Sequence, residues 1–252
     1  MVLGLDPTLA VFAAAMVFAR MGAILMLLPG IGETSISPRI RLSFALAFSF
    51  IVGPVIAPQL PAMPDTLSAA AGLVALEAVI GLMIGLGSRF ILSAGAVGGQ
   101  IIAYQTGLAM AQSFDPTQGQ AGTLPAQFLN LTFMVLIFAT NIHHMLLTAA
   151  AGSYELMPAG ESPMWGDAAE WAINLFSSAF LLAVQIASPL IAFGLLFYLG
   201  LGVLSRLMPQ AQIFFIAMPA NILIGFAILA ITLGAIGLVF IERYEEFAAT
   251  MS

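Results

Sequence analysis

The chain runs for long distances without a charged side chain. Residues 171–205 and 207–241 are two such runs of 35 residues each, and 116–154 is longer still. A helix needs about 20 consecutive apolar residues to cross the hydrocarbon core of a bilayer. Runs of this length therefore describe membrane helices, and all three exceed one perpendicular crossing. Composition points the same way. Hydrophobic residues make up 61% of the chain and charged residues 7%, whereas a soluble domain carries about 25% charged residues. Mean hydropathy is +1.08.

The few charges exclude several functions. All six basic residues are Arg, against twelve acids, for a net charge of −6. No basic footprint for nucleic acid exists, and no polybasic segment for anionic headgroups. There is no Cys, so disulfides, thiolate nucleophiles and Cys-based metal sites are ruled out.

The uncharged runs predict an all-α, polytopic membrane protein. They place spans at 8–28, 42–64, 66–88, 90–114, 116–154, 171–205 and 207–241. That is about seven, within a range of six to eight long apolar helices, tilted or kinked and paired in hairpins. Pro189 and Pro219 are the expected kink sites. Residues 1–252 read as a single integral membrane domain with no soluble part. The N-terminus has no basic n-region and a long apolar run, so it reads as a first span and not a cleaved signal. The longest polar stretch, 152–170, carries Glu155, Glu161, Asp167 and Glu170, with Trp165 and Trp171 as interface anchors.

Orientation from the positive-inside rule meets a conflict. Arg39, Arg41 and Arg206 belong inside and the acidic 152–170 stretch outside. Seven single crossings cannot satisfy this, because one too many lies between 90 and 151. A segment near 98–125 that dips in and returns would remove it.

That same region holds a polar break at 105–122. It contains Gln105, Gly107, Met110, Gln112, Phe114, Asp115, Pro116, Gly119 and Gly122, with Asp115-Pro116 as a turn starter. Non-helical backbone at membrane depth survives only where it is buried in protein or lines a water-filled cavity. Two readings are open: a loop inserted into a pore, with Met110 and Phe114 as yielding bulk, or a surface connection between two helices.

Other features are sparser. Gly81/Gly85 and Gly95/Gly99 are small-xxx-small pairs that let helices approach closely in lipid. Glu77 is a carboxylate inside an apolar run, either in a proton path or reaching polar neighbours from a tilted helix. A lone carboxylate is a poor proton relay, and the structural reading expects Glu77→Gln to be tolerated. Asn141, His143 and His144 lie together in an apolar run. Adjacent His side chains point about 100° apart on a helix, so the pair reads as a helix end and not as a metal site. No Walker A, dinucleotide turn, HExxH or nucleophile elbow occurs. No enzyme activity, metal or cofactor is expected.

Several stretches stand in a distinctive order along the chain. They are Ala19-Arg20-Met21-Gly22 through Leu28-Pro29-Gly30, then Ser37-Pro38-Arg39-Ile40-Arg41. Gly98-Gly99-Gln100 through Thr106-Gly107-Leu108 and Phe114-Asp115-Pro116 follow. Asn141-Ile142-His143-His144, Ser153-Tyr154 to Pro158, and Leu204-Ser205-Arg206-Leu207-Met208-Pro209-Gln210 with Ile213-Phe214 and Pro219 complete the set. In this order and spacing the chain resembles the FliR family of type III export gates, flagellar with a virulence-secretion counterpart. Asn141-Ile142-His143 departs from the Asn-Gly-His common in that family.

The resemblance implies a core gate component of a multi-pass inner-membrane apparatus in the flagellar basal body. It implies FliP-like and FliQ-like subunits as pore-forming partners, FlhB-like and FlhA-like proteins beside them, and unfolded flagellar subunits as cargo. It also implies that 105–122 is a plug in the closed pore. The alternative is a small-solute secondary transporter, which calls for an internal repeat and broken helices in matching halves; the chain has one strong break and no convincing repeat.

Overall fold

The computed structural model describes residues 7–109, 122–209 and 213–251, and the side chains of all of these except 214–216. Among them there is no strand. Seven α-helices follow one another: α1 Pro7–Leu27, α2 Pro38–Ile56, α3 Leu67–Thr106, α4 Leu124–Ala139, α5 Ile142–Leu156, α6 Trp165–Leu207 and α7 Ile213–Ala249. A single turn of 3-10 helix, Ala57–Gln59, extends α2.

Local chemistry explains the ends. Pro38 stands at the start of α2, where its missing N–H costs nothing, and the Ser37 side chain caps it by accepting from the Ile40 N–H. Asp167 lies in the first turn of α6 and Arg206 in the last, each where the helix dipole favours its sign. Pro189 leaves the Gln185 carbonyl without its helical donor, and the Ser188 hydroxyl takes it at 2.8 Å. That is how a proline is accommodated in an apolar helix.

Two expectations are corrected. Residues 66–88 and 90–114 do not form separate spans but one 40-residue helix, α3. Arg89 does not interrupt it, because its Nη1 reaches Glu33 at 2.7 Å. The run 116–154, by contrast, is divided between α4 and α5 at Thr140-Asn141, where Asn141 is left-handed at φ 61°.

Among the described residues five helices are long and apolar enough to cross a membrane, and α4 with α5 pass only together, as one broken span or a re-entrant loop bent by 73°. With α3 as a single crossing, the count is at most six.

The chain divides into two compact units, Met1–Phe90 with Ile137–Phe176 and Tyr244–Ser252, and Ile91–Leu136 with Ser177–Arg243. In the first, α1 packs on α2 and on α3. Phe12, Met16 and Ala70 form an apolar cluster with Leu60, Leu73 and Val74. A Cβ on Gly81 would strike the Arg20 backbone, and one on Gly85 would press on Leu27. The Tyr244 hydroxyl donates to the Ser88 carbonyl at 2.6 Å. α2 buries little, and its Phe50, Ile51 and Val55 are exposed. In the second unit the Phe133 and Phe240 rings stack at 3.8 Å. Gly95 lies under Phe133, and Gly99 touches the backbone of Ala126 so closely that no side chain fits.

Candidate functional site

The polar break begins where α3 ends, in the second unit. The last four carbonyls of a helix have no partner inside it. At the end of α3 the Gln105 carbonyl accepts from Asn221 Nδ2 at 2.9 Å and from the Tyr198 hydroxyl at 3.3 Å. The two donors also meet each other, Asn221 Nδ2 to Tyr198 Oη at 3.3 Å. Thr106 is buried and turns its hydroxyl back to the Ile102 carbonyl at 2.9 Å. Gly107 then leaves the helix in the left-handed region at φ 81°, a conformation glycine adopts at no steric cost.

At the far side of the break Gly122 is also left-handed, at φ 81°, and its carbonyl accepts from Gln127 Nε2 at 2.9 Å. The Thr123 hydroxyl reaches the Gly99 carbonyl at 3.5 Å. Met110, Gln112, Phe114, Asp115, Pro116 and Gly119 lie outside the described residues.

Glu77 occupies the first unit and is not an isolated carboxylate. It is fully buried against a fully buried Arg20. Arg20 Nε donates to Oε2 at 2.6 Å and Nη2 to Oε1 at 3.1 Å, the bidentate geometry that suits a guanidinium. Nη1 donates to the Ser153 and Met157 carbonyls at 3.2 and 2.7 Å. The Gly160 N–H donates to Glu77 Oε1 at 2.9 Å. The Tyr154 ring lies 3.9 Å beneath the guanidinium carbon, a cation–π contact. The cluster ties α1, α3, α5 and the 157–160 turn together. Both Glu77 oxygens have a donor: Oε1 accepts from Arg20 and Gly160, and Oε2 from Arg20.

Asn141 lies in the break between α4 and α5, and His143 in the first turn of α5. Asn141 stands before α5 without a side-chain cap bond. His143 Nδ1 lies 3.2 Å from the Ile137 carbonyl, and its ring is 4.9 Å from Phe138 and 4.1 Å from His144. Among the described residues no group of three or more His, Asp or Glu could hold a metal ion.

Arg20, Tyr198 and Asn221 are the residues that sequence reasoning missed. Arg20 had a signal: it and Glu77 are opposite charges, each set in an otherwise apolar helix, and such charges pair. Asn221 had a fainter one, as an amide eight residues into an apolar helix.

The sequence matches known proteins along nearly its whole length. The family model for bacterial export proteins, family 1, covers residues 11–247. The flagellar biosynthetic protein FliR of Caulobacter vibrioides is 40% identical over 236 residues, 94% of each chain. That of Bacillus subtilis is 27% identical over 95% of this chain and 93% of its own. That of Escherichia coli K12 is 29% identical over 84% and 80%. The chain belongs to the family of bacterial export proteins, family 1.

Proposed function

We propose that this chain is a component of the flagellar type III export apparatus. In this reading it forms, with FliP-like and FliQ-like subunits, the pore that passes unfolded flagellar subunits out of the cytoplasm. It works beside FlhB-like and FlhA-like proteins in the inner membrane, within the flagellar basal body. The observation that carries the reading is the match to a FliR protein at 40% identity over 94% of both chains.

Physical chemistry supports the gate part. An export pore must admit an extended polypeptide and yet stay closed to ions. Residues 105–122 are polar, uncharged except for Asp115, and carry three glycines between two membrane helices. Such a segment suits a pore lumen better than a lipid-facing surface. Met110 and Phe114 supply the bulk that closes a narrow channel and the flexibility to yield. The Arg20–Glu77 cluster serves as a structural tie and not as a proton relay, and the chain acts without catalysis of its own.

Recovery of the full tagged chain from membranes tests the assembly. The proposal expects FliP-like and FliQ-like subunits to co-purify, and hook and filament subunits to remain inside cells that lack the chain. A solitary monodisperse protein stabilised by a small solute would replace this reading with that of a secondary transporter.

A further inference from the structure

The Gln105 carbonyl is gripped from two other helices at once, Tyr198 on α6 and Asn221 on α7. We propose that Tyr198 and Asn221 are positioning residues that latch the last turn of α3, and that this latch holds the closed state of the gate. The second clause rests on the function proposed above; the first stands on geometry alone.

Three observations meet at this point. The carbonyl accepts two hydrogen bonds, which uses both of its lone pairs, and the donors bond each other. The neighbouring glycines are placed to admit the turn. Gln105 Oε1 occupies the position a Cβ on Gly194 would take, and the Thr106 methyl occupies that of a Cβ on Gly225. Two consecutive residues of α3 are thus received by glycines on α6 and α7. Finally, Asn221 is 3% exposed and its Oδ1 has no partner among the described residues. A buried acceptor without a donor is costly, so packing alone would favour an apolar side chain here.

The amide is therefore satisfied at one end only. Its nitrogen holds the carbonyl of the wound turn. Its oxygen is available to a backbone N–H, and unwinding the last turn of α3 frees such groups. The same side chain can hold either arrangement, which is what a switch between two packed states requires.

Hydrogen exchange tests the latch directly. The full chain is purified from membranes with whatever co-purifies, as wild type, Tyr198→Phe, Asn221→Leu and the double variant. Exchange is followed in peptides covering 100–107. Loss of one hydrogen bond should accelerate the last turn of α3 about threefold, and loss of both about tenfold or more. Peptides from 67–90 should be unchanged. Tyr198→Phe removes only a hydroxyl from a side chain that is 42% exposed, so it carries the test even if Asn221→Leu fails to accumulate. Exchange at wild-type rate in every variant obtained overturns the latch. Membranes containing the assembled double variant should leak small ions. Faster exchange in membranes that stay tight overturns the link to gating and leaves the latch as a structural cap. Absence of co-purifying subunits defeats the export-gate reading instead, while the exchange result still decides the latch.

Discussion

Replacing Glu77 with Ala should destabilise the chain by about 3–5 kcal/mol, the usual cost of removing one partner from a buried ion pair. The structure says where this comes from. Arg20 would lose both carboxylate bonds, at 2.6 and 3.1 Å, and the Gly160 N–H would lose its acceptor at 2.9 Å. Arg20 cannot reach water, since its side chain is fully buried. It keeps two carbonyls and the Tyr154 ring, which is too little to neutralise it.

Glu77→Gln retains an acceptor but not the charge and should fall at the lower end of the range. The tolerance expected of a lone structural carboxylate is thereby withdrawn. The double variant Arg20→Met/Glu77→Leu should cost less than either single truncation, because it leaves no buried charge. The Gly160 N–H and the Met157 carbonyl lose their partners, but both are neutral groups and cost less than an unpaired charge. Exchanging the charges, Arg20→Glu with Glu77→Arg, should not rescue. The new carboxylate would face the Ser153 and Met157 carbonyls, and the new guanidinium would face an N–H. Equilibrium unfolding of the full chain in mixed micelles measures all four. Single costs below about 1 kcal/mol, the range of exposed pairs, or a double cost equal to the sum of the singles, would refute the reasoning.

Arg89→Gln provides the contrast: its pair with Glu33 is 34% and 24% exposed, so the same unfolding assay should register under about 1 kcal/mol. Asn141→Val should cost about 1–2 kcal/mol, because β-branched residues resist the left-handed region, while Asn141→Gly should be nearly neutral. Gly99→Val should lower stability by about 1–3 kcal/mol or more through collision with Ala126, whereas Gly72→Ala, with open space around it, should raise it by about 0.5–1 kcal/mol. Melting temperatures of the purified variants order these effects.

How far this could be read from the sequence depends on distance along the chain. Helix class and most spans follow from charge-free runs, since lipid forces any crossing segment to satisfy its own backbone. The error at α3 arose from treating Arg89 as a boundary. A charged residue ends an apolar run but not a helix, and this one is accommodated by Glu33, 56 residues away. The same blindness hid the site. Glu77 was conspicuous as a carboxylate, but its partner lies 57 residues off. Asn221 and Gln105 are 116 apart and meet through a backbone carbonyl, which no side-chain pattern records. Gly194 and Gly225 were indistinguishable from the other glycines until the residues opposite them were known. Gln105 and Gly107, by contrast, stood out by polarity alone, because an amide and a helix-ending glycine between two apolar runs are costly to leave facing lipid.

The central claim is that the segment between α3 and α4 closes an export pore, and conductance measures it most directly. The chain is assembled with its co-purifying subunits in planar bilayers, with and without residues 110–121, and ionic current is recorded while assembly is checked in parallel. Met110 and Phe114 leave with the deletion, and each large side chain withdrawn from a packed contact forfeits about 2–5 kcal/mol. That is enough to move a two-state gate more than about tenfold if the contacts exist only when it is closed. The account predicts an intact complex with a large, persistent current; an intact complex that stays as tight as the wild type would contradict it.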